Sequence, residues 1–196
     1  MEPIMPDAAW YAVAVRSNFE RIVAHSLRQK EYEVFLPSYL SKRRWSDRTK
    51  VVECALFSGY LFCRMDLRQR VPLLNTPGVA SIVGIGKCAV PVEDREIATI
   101  QRLVESGLPV APWPFLKAGQ FVSINRGPLA GVEGIVIAAK NRSRLVVSVE
   151  MLQRSVTVEI ESDWAEPSRP ARPRGGEYIA ACQPAGLSYA TVRRSL

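Results

Sequence analysis

The sequence predicts an α+β fold, in which a helix-covered, mostly antiparallel sheet is followed by a small all-β module. Three observations carry this. Two amphipathic helical stretches are interleaved with short strands in the first half; a proline-rich segment, residues 108–116, interrupts the pattern; and beyond it valine and isoleucine dominate between regularly spaced glycine turns. A chain of 196 residues has room for two small domains, since about 50 residues can already fold alone.

Trp10 to Val15 reads as a strand, and the helix after it starts at Ser17-Asn18-Phe19-Glu20, where serine and glutamate stand at capping-box spacing. Phe19, Ile22, Val23 and Leu27 form its apolar stripe, and Glu20, Arg21, Arg28 and Lys30 take the other side. Strands are expected at Glu33–Leu36 and Tyr60–Met65, with hairpin arms at Leu40–Trp45 and Lys50–Leu56. Pro72 suits the first turn of a short helix over Val71–Asn75, which Pro77-Gly78 ends before a strand at Val79–Val83. From Glu93 to Ser106, Ile97, Ile100, Leu103 and Val104 share one helical face, acids crowd the first turn and Gly107 takes the C-cap side. The order implies two main helices over one face of the sheet.

Pro109, Pro112 and Pro114 make residues 108–116 a stiff connector between a first domain, 8–107, and a second, 117–167. Turn signals at Gly127-Pro128, Gly131, Asn141 and Ser162-Asp163 give the second domain the rhythm of a small β-barrel. Residues 168–196, rich in arginine, proline and glycine, read as a disordered basic tail. That tail holds five arginines against Glu177, so the net charge of +7 leaves the folded part only mildly basic. Without a signal peptide or a membrane-spanning stretch, the chain is expected in the cytoplasm.

Catalysis finds little support. Ser81 to Cys88 has the look of a P-loop, but Ser81 replaces its first glycine and Cys88 its magnesium-holding hydroxyl. His25 is the single histidine, and Cys54, Cys63, Cys88 and Cys182 lack metal-ligand spacing, so no metal, cofactor or enzymatic activity is expected. Lys42, Arg43, Arg44, Arg48 and Lys50, with Trp45 among them, crowd the hairpin tip; this suits contact with phosphates and a stacked base, or equally a solvated loop. Tyr60 and Phe62 share one face of their strand, opposite Leu61 and Cys63. They form either a core pair, which the residues alone favour, or the start of an exposed binding surface.

Trp10-Tyr11-Ala12-Val13, Phe19-Glu20, Ser58-Gly59-Tyr60-Leu61-Phe62 and Thr76-Pro77-Gly78-Val79 resemble the amino-terminal domain of NusG-family transcription factors. Gly119-Gln120-Phe121-Val122 and Gly127-Pro128-Leu129-Ala130-Gly131-Val132-Glu133-Gly134 are similar to the KOW motif that follows in that family, and the likeness spans residues 10–167. The resemblance implies a ferredoxin-like domain joined to an SH3-like KOW β-barrel, working as a monomeric elongation or antitermination factor. It implies RNA polymerase binding at Tyr60 and Phe62, which turns their reading from core to surface, and at Leu74, Asn75 and Thr76. It also implies a partner, Rho or a ribosomal small-subunit protein, at a loop matching Leu152, Gln153 and Arg154. Leu152 and Gln153 replace an aromatic and a glycine, and Ser58-Gly59 replaces Pro-Gly, departures that point to a specialised paralogue of the RfaH or UpxY kind. Leu74 in turn departs from the histidine of the RfaH branch. Gly127, Pro128, Gly131 and Gly134, with many β-branched neighbours, disfavour a helical hairpin and predict a β-barrel over residues 117–166 in the resting state. The competing reading is a ribosomal or other RNA-binding protein of KOW type.

Overall fold

The computed structural model describes residues 8–168, apart from 45–48, 87, 115–119, 140–141, 150–151 and 162–163. The first half runs β1 (Ala9–Val15), α1 (Glu20–Gln29), β2 (Glu33–Phe35), β3 (Ser38–Arg44), β4 (Thr49–Ala55) and β5 (Tyr60–Met65). A turn of 3-10 helix, Leu67–Gln69, then leads into α2 (Arg70–Leu74), β6 (Val79–Ile82), β7 (Gly84–Ile85), β8 (Cys88–Ala89), β9 (Pro91–Val92) and α3 (Asp94–Glu105).

The sheet is ordered β2-β5-β1-β6, with β9 also pairing on β1. β1 is buried on both sides, and alternation sends Tyr11, Val13 and Val15 to one face and Trp10 and Ala12 to the other. Val23, Ala24 and Leu27 of α1 pack on the first face with Leu61 and Cys63. Ile97, Ile100 and Leu103 of α3 pack on the second with Trp10, Ala12 and Phe62. The helices therefore sandwich the sheet, where a single covered face was expected; two apolar faces on its central strands need two covers.

The expected capping box does not form. The helix begins after Phe19 with no side-chain cap. Asn18, at a φ of 67°, turns the chain between Ser17 and the helix. Glu20 is buried instead, and its carboxylate accepts the Gly59 N–H at 2.8 Å, tying α1 to the turn before β5. β3 and β4 form a separate two-stranded ribbon from Ser38↔Ala55 to Arg44↔Thr49, steadied against α1 by the ion pair of Arg21 with Glu53 at 2.7 Å.

The second half comprises β10 (Val110–Trp113), β11 (Gln120–Ile124), β12 (Glu133–Ala139), β13 (Arg142–Val149), β14 (Arg154–Ile160) and β15 (Ala165–Pro167). They form one antiparallel sheet ordered β10-β14-β13-β12-β11-β15. The described part of 117–166 is thus dominated by strands, as its β-branched residues and glycines predict. Residues 108–116 are more than a connector, because four of them are an edge strand on β14; an edge is where a strand tolerates proline. No apolar gap separates the halves: Val122, Ile124, Leu145 and Val156 belong to the same buried cluster as Trp10, Phe62 and α3.

Candidate functional site

Tyr60, Leu56 and Phe57 of the first half face Leu152, Gln153, Arg154 and Ser155 of the second across a cleft of about 280 Å³, with Pro112, Trp113 and Pro114 along its side. The cleft follows from local structure. Phe57 and Ser58-Gly59 make the turn into β5, in which Gly59 sits at a φ of 81° and the Tyr60 N–H returns to the Phe57 carbonyl. On the other wall Gln153, at a φ of 49°, reverses the chain so that β14 starts with Arg154 over the Tyr60 ring, 5.4 Å from its centroid. A second guanidinium, that of Arg144 on β13, lies 5.6 Å from the Trp113 ring centroid and also meets Glu159 at 3.4 Å.

Tyr60 and the loop Leu152–Arg154, which the sequence offered separately, thus converge, whereas Phe62 does not line the cleft. Tyr60 is half-buried at the cleft, but Phe62 has no exposed surface and stacks on Phe35 at 6.1 Å with Phe57 edge-on at 5.7 Å. As an accessible binding residue Phe62 is corrected to a core one. Leu61 and Cys63 take the α1 face, and α3 and the second half fill the other. Leu152 is buried too, while Gln153 and Arg154 lie at the surface.

Leu74, Asn75 and Thr76 lie elsewhere, at the end of α2, whose Leu73 packs with α1 on the opposite face of the sheet from Phe62. Leu74 and Asn75 are exposed, but Thr76 is 2% exposed: its hydroxyl donates to the Pro72 carbonyl at 3.1 Å and accepts from Lys30 Nζ at 2.7 Å. Thr76 is therefore corrected from a contact residue to one that braces the loop. Lys42, Arg43 and Arg44 form the end of β3, paired with Val51, Lys50 and Thr49; Trp45 and Arg48 lie outside the described residues.

The glycines of the KOW-like motif have steric reasons. Gly127 adopts a φ of 73°, and a Cβ there would meet the Trp164 ring at 2.8 Å; at Gly134 a Cβ would come within 2.7 Å of the Val146 carbonyl on β13. Pro128 stands in the same turn, over buried Leu129, and Gly131 closes it by donating its N–H to Ile124. Cys63 is buried, and burial pushes its thiol up to about 12, an inert core group. His25 is an exposed residue of α1, and no group of three or more potential metal ligands occurs among the described residues. Leu56, Phe57 and Trp113 were not singled out from sequence. Trp113 carried the one usable signal, a tryptophan set among prolines where a plain connector has no use for one.

A family model described as "Transcription termination factor nusG" matches residues 8–101. A curated relative from Vibrio vulnificus (strain CMCP6), the transcription termination/antitermination protein NusG, is 30% identical, over 82% of this chain and 96% of its own. The protein of that name from Escherichia coli (strain K12) is 29% identical, over 82% and 97%. Among solved structures, one described as "Domain interaction in Thermotoga maritima NusG" aligns with a TM-score of 0.51 and 25% identity, covering 83% of this chain and 98% of that one.

Proposed function

This chain belongs to the NusG family of transcription termination/antitermination factors, which are not enzymes, and we propose that it binds the RNA polymerase clamp through the aromatic wall around Tyr60. In this reading the first half is the polymerase-binding domain and the second an SH3-like KOW module, whose Leu152–Arg154 loop recruits a further protein. Binding would suppress pausing or termination by holding the polymerase in its active state. Leu74 and Asn75, exposed on the other side of the sheet, would make a second contact across the polymerase cleft.

The observation that carries this reading is the convergence of Tyr60 and Arg154 on one cleft. An aromatic wall rimmed by one cation suits an interface with a protein, and it resembles no pocket for chemistry. It also implies a closed form in which each surface covers the other, so that engagement of polymerase requires the halves to part. The domain interaction described for the Thermotoga maritima protein accords with such a form.

The test is capture of purified bacterial RNA polymerase by wild type and by Tyr60→Ala, with circular dichroism to verify folding. A folded Tyr60→Ala chain is expected to lose at least about tenfold in affinity, in line with loss of a central interface aromatic. If wild type ignores polymerase yet binds RNA with a steep salt dependence, the RNA-binding reading, carried by the basic β3–β4 ribbon, replaces this one.

A further inference from the structure

β14 has two neighbours, β13 on one side and the short β10 on the other. Without β10, the residues Ser155 to Val158 would present an open strand edge, a ready template for pairing with another chain. We propose that this edge is a strand-addition site for an extended segment of a partner protein, and that β10 is the chain's own occupant, displaced when the partner binds. The inference rests on the polymerase reading only for its consequence, which is that loss of β10 uncovers the Tyr60 wall.

β10 has the properties of a displaceable strand. It pairs over only four residues, Val110↔Val158 to Trp113↔Ser155. Pro109, Pro112 and Pro114 have no N–H to give, so the ladder can neither lengthen nor tighten. The fit is also incomplete. The Thr157 hydroxyl, opposite Ala111, is 7% exposed and has no hydrogen-bond partner among the described residues. A buried orphan hydroxyl of this kind lowers stability, and an incoming strand with a polar side chain opposite Thr157 would satisfy it.

The partner's chemistry can be read from this template. It is an extended apolar segment with an aromatic residue opposite Ser155, where the Arg144 guanidinium now covers Trp113, and a serine or threonine opposite Thr157. The consequence is geometric. Trp113 and its flanking prolines line the cleft beside Tyr60, so β10 closes that side of the cleft; once released, the nine residues 108–116 can span up to about 30 Å. Addition of a strand at β14 and opening of the aromatic wall are then one event. By linkage, a partner on β14 and polymerase on Tyr60 each favour the other.

The experiment uses the full chain in three forms: wild type, Trp113→Ala, and a lock carrying Ala111→Cys with Thr157→Cys, whose cross-strand positions suit a disulfide. The probe is a synthetic seven-residue peptide with the sequence of residues 108–114, and a second in which its alanine is threonine. Amide exchange at Ser155–Val158 is expected to speed up at least about tenfold in Trp113→Ala relative to amides between β12 and β13. Either peptide should restore protection, the threonine peptide binding roughly fivefold tighter for its added hydrogen bond. The oxidised lock should refuse both peptides and accept them after reduction. Unchanged exchange at β14 in Trp113→Ala, or equal peptide binding by oxidised and reduced lock, overturns the proposal. Polymerase capture is read separately. If peptides exchange as expected but the lock binds polymerase equally in both redox states, the strand site stands and its coupling to polymerase falls, while Tyr60→Ala capture alone decides the polymerase reading.

Discussion

Tyr60 and Phe62 are two positions apart on β5 and project from the same face, yet one borders a cleft and the other has no exposed surface. Their substitutions separate the roles. Phe62→Ala removes a ring packed between Phe35 and Phe57 and is expected to cost about 3–5 kcal/mol of stability by denaturant titration. Tyr60→Ala should act mainly on binding. Gly134→Ala forces a methyl group toward the Val146 carbonyl and is expected to destabilise by roughly 1–3 kcal/mol, visible as a lower melting temperature. Cys63 gives a pH dependence. Its thiol is raised from 9.0 to about 12 in the folded chain, chiefly by burial and then by Glu33, so between those values the unfolded state has lost a proton that the native state keeps. Its contribution to stability is therefore complete below about pH 9 and is lost as pH rises toward 12, at up to about 1.4 kcal/mol per pH unit. Denaturant titrations of wild type and Cys63→Ala across that range should diverge in this sense; parallel curves would contradict it.

At the scale of elements, helical and strand periodicity located α1, α3, β1 and β5, though of the stripe expected on α1 only Val23 and Leu27 are buried, while Phe19 and Ile22 are exposed and Glu20 is interior. What failed was the assignment of which face meets what. Ser17 and Glu20 have capping-box spacing, but spacing does not reveal that the Gly59 N–H competes for the Glu20 carboxylate. Glu20→Ala should consequently destabilise the chain by about 1–3 kcal/mol, more than loss of a surface acid. Three prolines in seven residues argued for a connector, and β10 appeared because an edge strand needs only one hydrogen-bonding side. In the β3–β4 ribbon Arg43 stands opposite Lys50 in the register. Replacing Lys42, Arg43 and Arg44 with glutamine should leave melting nearly unchanged while flattening the salt dependence of any nucleic-acid binding, as measured by fluorescence anisotropy.

For the molecule as a whole, the buried cluster that runs from Trp10 and α3 into Val122, Leu145 and Val156 predicts cooperative behaviour. Calorimetry of wild type should give one transition with equal calorimetric and van't Hoff enthalpies, while Trp113→Ala should split it in two. Two transitions in wild type would mean that the halves are energetically independent. The sequence by itself determined the α+β order, the strand-rich second half, the glycine turns and the family, because these rest on local periodicity, backbone conformation and short motifs. Tertiary structure alone decided that α1 and α3 lie on opposite faces, that Thr76 and Phe62 are interior, and that Arg154 covers Tyr60. Alternation in a strand specifies two faces but not their neighbours, and contacts between residues nearly a hundred positions apart depend on how whole surfaces fit together.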